Sequence, residues 1–193
     1  MIEEKDFETF LYISKNNYQI FVFDKKKLEN LYTEEIKIIN EFTFQNFKEL
    51  SKFLDKNIYT IEKLVGNFIK DIILIIDNDE SLNVSIGMKK KIDNNSVVQK
   101  YLENNLTDLK DLFKENYQKQ TIMHMVIANY IINGQKYSFY KKNLINDHLG
   151  LEVNFFSISN ELVSELEKIL EKYQIKISQY MCGNYIKNFF DRD

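Results

Sequence analysis

The chain predicts an α+β fold, with a hairpin-strand-helix-strand series followed by a strand-helix-strand-strand series and then a helix, a strand and a short helix. Three observations lead there. Asn133-Gly134 separates two apolar runs, and a two-residue hairpin turn of the favoured type needs positive φ at both central positions. Leu162, Val163, Leu166, Ile169, Leu170 and Tyr173 recur at helical spacing and make one apolar face. Strand-length apolar runs, residues 72–76 and 82–88 among them, stand between charged or polar neighbours.

The elements follow in order. Residues 10–14 and 18–23 read as a tight hairpin turning near Asn16-Asn17, and residues 35–42 as a third strand. Asn46 with Glu49 three residues on makes a capping box. The helix it opens carries Phe47, Leu50, Leu54, Ile58, Ile61, Val65 and Phe68 on one stripe. Lys70-Asp71 leads into the buried strand 72–76, which ends at Asp77. A sheet of this kind needs an apolar face and a helix stripe to cover it.

A strand over 82–88 follows. Ser96 and Gln99 cap a long helix over 96–117, with Val97, Tyr101, Leu102, Leu106, Leu109, Leu112 and Phe113 turned inward. The strands around Asn133-Gly134 and a strand over 150–159 follow. Ser159 caps the next helix, with Glu161 near its positive end. A strand over 174–180 and a short helix close the series.

Composition bounds the function. A chain of 193 residues, 44% hydrophobic and 14% aromatic, can bury a core as one domain or two small ones. A net charge of −3 gives no general pull toward nucleic acid or acidic lipid. No apolar run approaches the roughly 20 residues that span a bilayer. The acidic N-terminus lacks a signal peptide's basic start and apolar core. The single cysteine, Cys182, cannot form an internal disulfide, so a cytoplasmic protein without a membrane anchor of its own is expected. The chain has no proline, which removes the usual marks of helix boundaries.

The run from Thr121 to Phe190 resembles the actin-like bacterial cell-division protein FtsA. That family has a Leu-His-x-Ile strand followed by Tyr-x-Ile-Asp-Gly. Here stand Met123-His124-Met125-Val126 and Tyr130-Ile131-Ile132-Asn133-Gly134. The family's Leu-Glu-Val strand is matched by Leu151-Glu152-Val153, and its last strand by residues 174–180. The family's proline in the first of these strands is Ile127, and its Asn-Pro-x-Gly segment is Asn143-Leu144-Ile145-Asn146. The resemblance implies a partial actin-like (ribonuclease H-like) subdomain, split into residues 1–80 and 159–193 around the insert often labelled 1C at residues 81–158, and less than half of a full family member.

The same resemblance implies lost ATPase chemistry. Actin-like ATPases hold phosphates with Asp- and Gly-rich hairpins, whose backbone N–H groups approach the oxygens because glycine has no side chain. The first hairpin falls at Tyr12-Ile13-Ser14-Lys15, which has neither the acid nor the glycine. Tyr12, Ser14 and Lys15 therefore mark a degenerate phosphate loop, and no nucleotide or other cofactor is expected. The second hairpin and the second lobe, with its dock for the FtsZ tail and its membrane helix, are not expected in this chain.

Other chemical readings are weak. His124 and His148 with Cys182 lack metal-ligand spacing, so no metal site is expected. His124 reads as a packed, hydrogen-bonded ring, and Cys182 as core. The acid pairs Asp77/Asp79 and Glu103/Asp108 read as capping and solvation, and Lys25–Lys27 and Lys89–Lys91 as solvated turns. No catalytic constellation is visible.

In FtsA-like proteins the insert is an interaction module, which implies a non-catalytic adaptor. Tyr137, Phe139, Tyr140, Lys141, Lys142 and Phe155 are the interface candidates, with the strands 137–142 and 151–157 offering open edges. The expected partners are other division proteins or a second copy in a homodimer, with recruitment to the membrane by a partner. The alternative is a PilM-like adaptor of a type IV pilus or secretion apparatus, since PilM-like proteins share the fold. An enzyme on an unrelated α+β fold is the third class.

Overall fold

The computed structural model describes residues 6–38, 47–77, 81–91, 98–141 and 148–190. The chain divides into two compact units, Met1–Ser81 with Glu161–Asp193, and Leu82–Asn160. The fold is α+β in both.

The first unit is a five-stranded sheet with helices. β1 (Phe7–Ser14) and β2 (Asn17–Asp24) form the hairpin, β3 (Glu29–Lys37) continues it, and β4 (Asp71–Asp77) and β9 (Lys176–Cys182) complete the order β3-β2-β1-β4-β9. β1 and β2 are antiparallel, as are β2 and β3, while β4 runs parallel to both β1 and β9. Alternation does the packing. Leu11, Ile13, Tyr18, Ile20, Val22, Ile72, Leu74 and Ile76 are buried on one face. α1 (Lys48–Val65) brings Leu50, Phe53, Leu54, Ile58 and Ile61 to that core, and α3 (Asn160–Glu171) brings Leu162, Leu166, Ile169 and Leu170. Tyr18 meets Phe53 at 6.3 Å between ring centres, and Tyr32 donates to Asn57 of α1 at 2.5 Å. Tyr180 of β9 donates to Glu167 of α3 at 2.8 Å. α4 (Gly183–Phe190) follows β9 directly.

Several expectations change here. The third strand begins at Glu29, six residues before the expected 35. Asp24 explains the shift: its carboxylate accepts the backbone N–H groups of Lys26 (2.8 Å) and Lys27 (3.0 Å), and Leu28 adopts φ 56°. The chain therefore turns at the lysine run and pairs straight back. The helix stripe ends earlier than expected. Gly66, with φ 76°, closes α1, and its N–H bonds to Glu62 O at 2.8 Å. Phe68 lies beyond that cap and is 79% exposed. Asn46 is outside the described residues, and Phe47 at the helix start makes no side-chain cap bond. Ser159 ends a strand opposite Gln120 and stands just before α3, the position expected of its cap, with Glu161 in the first turn.

The second unit, among its described residues, is a four-stranded antiparallel sheet with one helix. The strands are β5 (Leu82–Lys91), β6 (Gln120–Ile132), β7 (Gln135–Tyr137) and β8 (His148–Ser159), in the order β5-β8-β6-β7. Asn133 (φ 53°) and Gly134 (φ 82°) make the β6–β7 turn with both residues at positive φ, as the Asn-Gly pair demands. α2 (Val98–Asn116) packs Leu109 and Phe113 onto Leu151, Val153 and Phe155. Phe113 stacks on Phe155 at 4.7 Å and on Tyr117 at 4.8 Å. Tyr101 donates its hydroxyl toward Lys90 O (2.9 Å) and Leu149 O (2.8 Å), two residues paired across β5 and β8.

Ser96 and Val97 are outside the described residues. Leu112, expected inward, is 39% exposed, while Asn105 is buried within hydrogen-bond reach of Tyr101. The strand over 151–157 has no open edge, because β8 pairs with β5 on one side and β6 on the other. The strand expected over 137–142 is only the end of β7 at Tyr137.

Candidate functional site

The parallel strands β1 and β4 end side by side, with Ser14 opposite Asp77. Ligands of open parallel sheets gather at such carboxyl ends. A cleft of about 560 Å³ lies here, lined by Tyr12, Ser14, Lys15, Asn16, Asn17, Glu35, Lys37, Asp77 and Lys187.

The hairpin tip binds itself. Ser14 Oγ accepts the backbone N–H of Asn17 (3.0 Å) and of Asn16 (3.3 Å), and Ser14 also bonds the Asn17 side chain. These are the donors a glycine-rich loop would offer to a phosphate. Asn17 Nδ2 in turn donates to Glu35 Oε1 at 2.7 Å. Lys15 is exposed at the tip. Tyr12, Ser14 and Lys15 thus line one cleft, but the loop is a closed polar turn.

Asp77 is engaged as well. Its carboxylate accepts the Tyr12 hydroxyl and lies 2.5 Å from Lys187 Nζ of α4. The Lys187 ammonium also stands 5.5 Å from the centre of the Tyr12 ring, within cation–π range. Gly183 makes this approach fit: a Cβ there would fall 2.5 Å from Asp77 Cβ. Burial, then the bond to Asp77, pushes the Tyr12 hydroxyl above its ordinary value. The bond to Asp77 holds the Lys187 ammonium well above its own. The cleft therefore carries an internal cation against its strand-end carboxylate. Among the described residues no group of three or more His, Cys, Asp or Glu could hold a metal.

Sequence reasoning placed Asp77 with solvating acids and passed over Lys187. The signal for Asp77 was an acid ending a fully apolar strand run. Nothing local marks Lys187, which is 110 residues away in sequence.

The interface candidates separate. Phe155 is wholly buried against Phe113 and is core, not surface. Alternation decides this, since Phe156 takes the other face and meets His124 edge-on at 6.4 Å. Burial lowers the His124 imidazole below its ordinary value. Tyr137, Phe139, Tyr140 and Lys141 do cluster: Lys141 Nζ stands 4.5 Å from the Tyr137 ring centre and 4.9 Å from that of Phe139. Tyr140 meets Tyr130 edge-on at 5.7 Å, and Phe139 is 61% exposed. Lys142 is outside the described residues. His148 is exposed and Cys182 buried.

No family model matches the chain. No curated protein matches it either. Solved structures do. A chain of the PilM-PilN type IV pilus biogenesis complex matches 94% of this chain with a TM-score of 0.60 at 8% identity. This chain spans 49% of that one, about half its length. The cytoplasmic domain of EpsL, an inner membrane component of the type II secretion system of Vibrio cholerae, is similar over 92% of this chain and 56% of its own, with a TM-score of 0.42 and 9% identity. A Bacteroides thetaiotaomicron protein with actin-like ATPase fold and unknown function is similar over 98% and 58%, with a TM-score of 0.40 and 15% identity. The first likeness shows the fold, a partial actin-like one; the other two are too distant to bear on function.

Proposed function

We propose that this chain is a non-catalytic protein-interaction adaptor of a type IV pilus or secretion apparatus, built on about half of an actin-like fold. The observation that carries the reading is the likeness to the chain of the PilM-PilN complex over 94% of this sequence. The cleft supports the non-catalytic half. Its hairpin N–H groups bond Ser14, and its carboxylate Asp77 bonds Lys187 and Tyr12, so these groups are engaged within the chain rather than turned to a ligand. No helix among the described residues is long and apolar enough to cross a membrane. The adaptor would work at the cytoplasmic face, recruited there by a partner.

Capture from its own cells after mild cross-linking tests this. Pilus or secretion components are the expected catch. Division proteins instead would turn the reading to an FtsA-like adaptor, and metabolic enzymes alone would end the adaptor reading. Titration calorimetry with magnesium-ATP is expected to give no binding heat. Saturable ATP binding with steady release of phosphate would overturn the non-catalytic half.

A further inference from the structure

β5 is a ten-residue strand with β8 on one side and, among the described residues, no strand on the other. Along an edge, alternate N–H and C=O groups point away from the sheet and offer a ladder to another strand. Proteins usually blunt such edges with bulges, prolines or spaced charges. β5 has none of these from Leu82 to Met88: its register with β8 is unbroken, and its charges begin at Lys89.

Gly87 stands within this edge. A glycine inside a strand marks a bulge, a bend or a close approach by another backbone. Here there is no bulge, and the backbone is not left-handed. A Cβ would meet only Leu151 O at 3.8 Å, an ordinary contact. Among the described residues nothing crowds this position, so Gly87 simply leaves the outer face of β5 low there.

The two faces of β5 then define what the incoming strand carries. Val84, Ile86 and Met88 lean on the α2 core and remain half-buried, so apolar side chains on alternate residues of a partner would complete that face. On the opposite face Asn83, Ser85 and Gly87 are small and exposed, and Lys89 and Lys91 extend the row. Lys90 points to the α2 side, where it pairs with Asp108. Among the described residues Lys89 and Lys91 have no such partner. Glu152, across from Gly87, is already held by Lys136 at 2.8 Å and by Asn129 at 2.7 Å.

We propose that the free edge of β5 takes an extended segment of a partner protein, apolar at alternate residues and acidic beside Lys89 and Lys91, as an added strand. This rests on the adaptor reading and names the kind of partner segment it would hold. The probe is the peptide acetyl-Glu-Val-Glu-Val-Thr-Val-Thr-Val-Thr-amide, fluorescein-labelled and read by anisotropy against the full chain at low salt. Laid antiparallel, its Glu residues face Lys91 and Lys89. Two further peptides carry N-methyl groups on the Val residues or on the Glu and Thr residues, so that only one of them blocks the ladder side.

The parent peptide is expected to bind. One methylated peptide should bind like it, and the other should lose about tenfold or more. Lys89→Glu with Lys91→Glu, both on exposed side chains, should weaken the parent by a similar factor with the circular dichroism unchanged. Three results would each overturn the proposal: no parent binding, equal binding by both methylated peptides, or a peptide-free dimer that protects β5 amides from exchange. Peptide failure leaves the captured apparatus components standing, and peptide binding would stand even if capture returned none, so the two readings fail separately.

Discussion

Truncating Phe155 separates a core role from an interface role. Its ring is fully buried and stacks on Phe113 at 4.7 Å. A phenylalanine side chain buries roughly 150–250 Å², and at about 25 cal/mol per Å² that is worth about 4–6 kcal/mol. Alanine retains a small part of this, and the stacked pair adds about 0.5–1.5 kcal/mol. Partial collapse of the cavity returns some of the loss, which leaves Phe155→Ala costing about 3–5 kcal/mol. Hydrogen exchange with mass spectrometry reads the second unit by itself. A loss of about 4 kcal/mol should speed exchange of β8 peptides about a thousandfold where they open with the whole unit. Phe139→Ala, at an exposed ring, should change the same peptides little. Acceleration below about tenfold in Phe155→Ala would refute the packing argument.

Three further outcomes follow from the first unit and from His124. Gly183→Ala should destabilise the first unit by about 1–3 kcal/mol, because its Cβ would fall 2.5 Å from Asp77 Cβ; an unchanged urea midpoint would contradict this. Lys187→Met should cost about 1 kcal/mol or less at pH 8, since the ammonium is 60% exposed and water screens the pair. The Lys187 value is raised on folding, so its contribution is complete below 10.5 and is lost as pH climbs through the folded value. Urea midpoints of wild type and variant should therefore converge in strong alkali; a gap that persists there would contradict the pairing. The His124 value is lowered on folding, so its contribution is complete above 6.5 and is lost as pH falls toward the folded value. His124→Gln should flatten that acid limb, whose slope reaches at most about 1.4 kcal/mol per pH unit; an equally steep limb in the variant would rule out His124 as its source.

Local signals were legible in the sequence and relational ones were not. The hairpin at Asn16-Asn17, the Asn133-Gly134 turn and the apolar run at 72–76 each state their structure within a few residues, because backbone φ and side-chain alternation are local. The start of β3 was hidden by a lysine run that folds as a turn only because Asp24 caps it. The neighbours of β8 are a property of the whole sheet, so the strand thought open is the one most enclosed. Phe155 and Phe156 are adjacent aromatics, and only the register with α2 in place tells core from outer face. In the cleft, Tyr12, Ser14 and Lys15 were singled out by the resemblance, which sets a phosphate hairpin at the β1–β2 turn. Asp77 and Lys187 meet only once β4 and α4 are in place.

The pairing of β5 with β8 sets Leu82 opposite Ser157, so the second unit enters and leaves the chain at adjacent points. That geometry makes the unit a cassette: nearly level ends let a segment be spliced in without stretching its host. It also sets an order on the ribosome. The cassette is fully translated by Asn160, whereas the host sheet still lacks α3 and β9. At roughly 5–20 residues per second, the cassette has a head start of about one to a few seconds before its host can close.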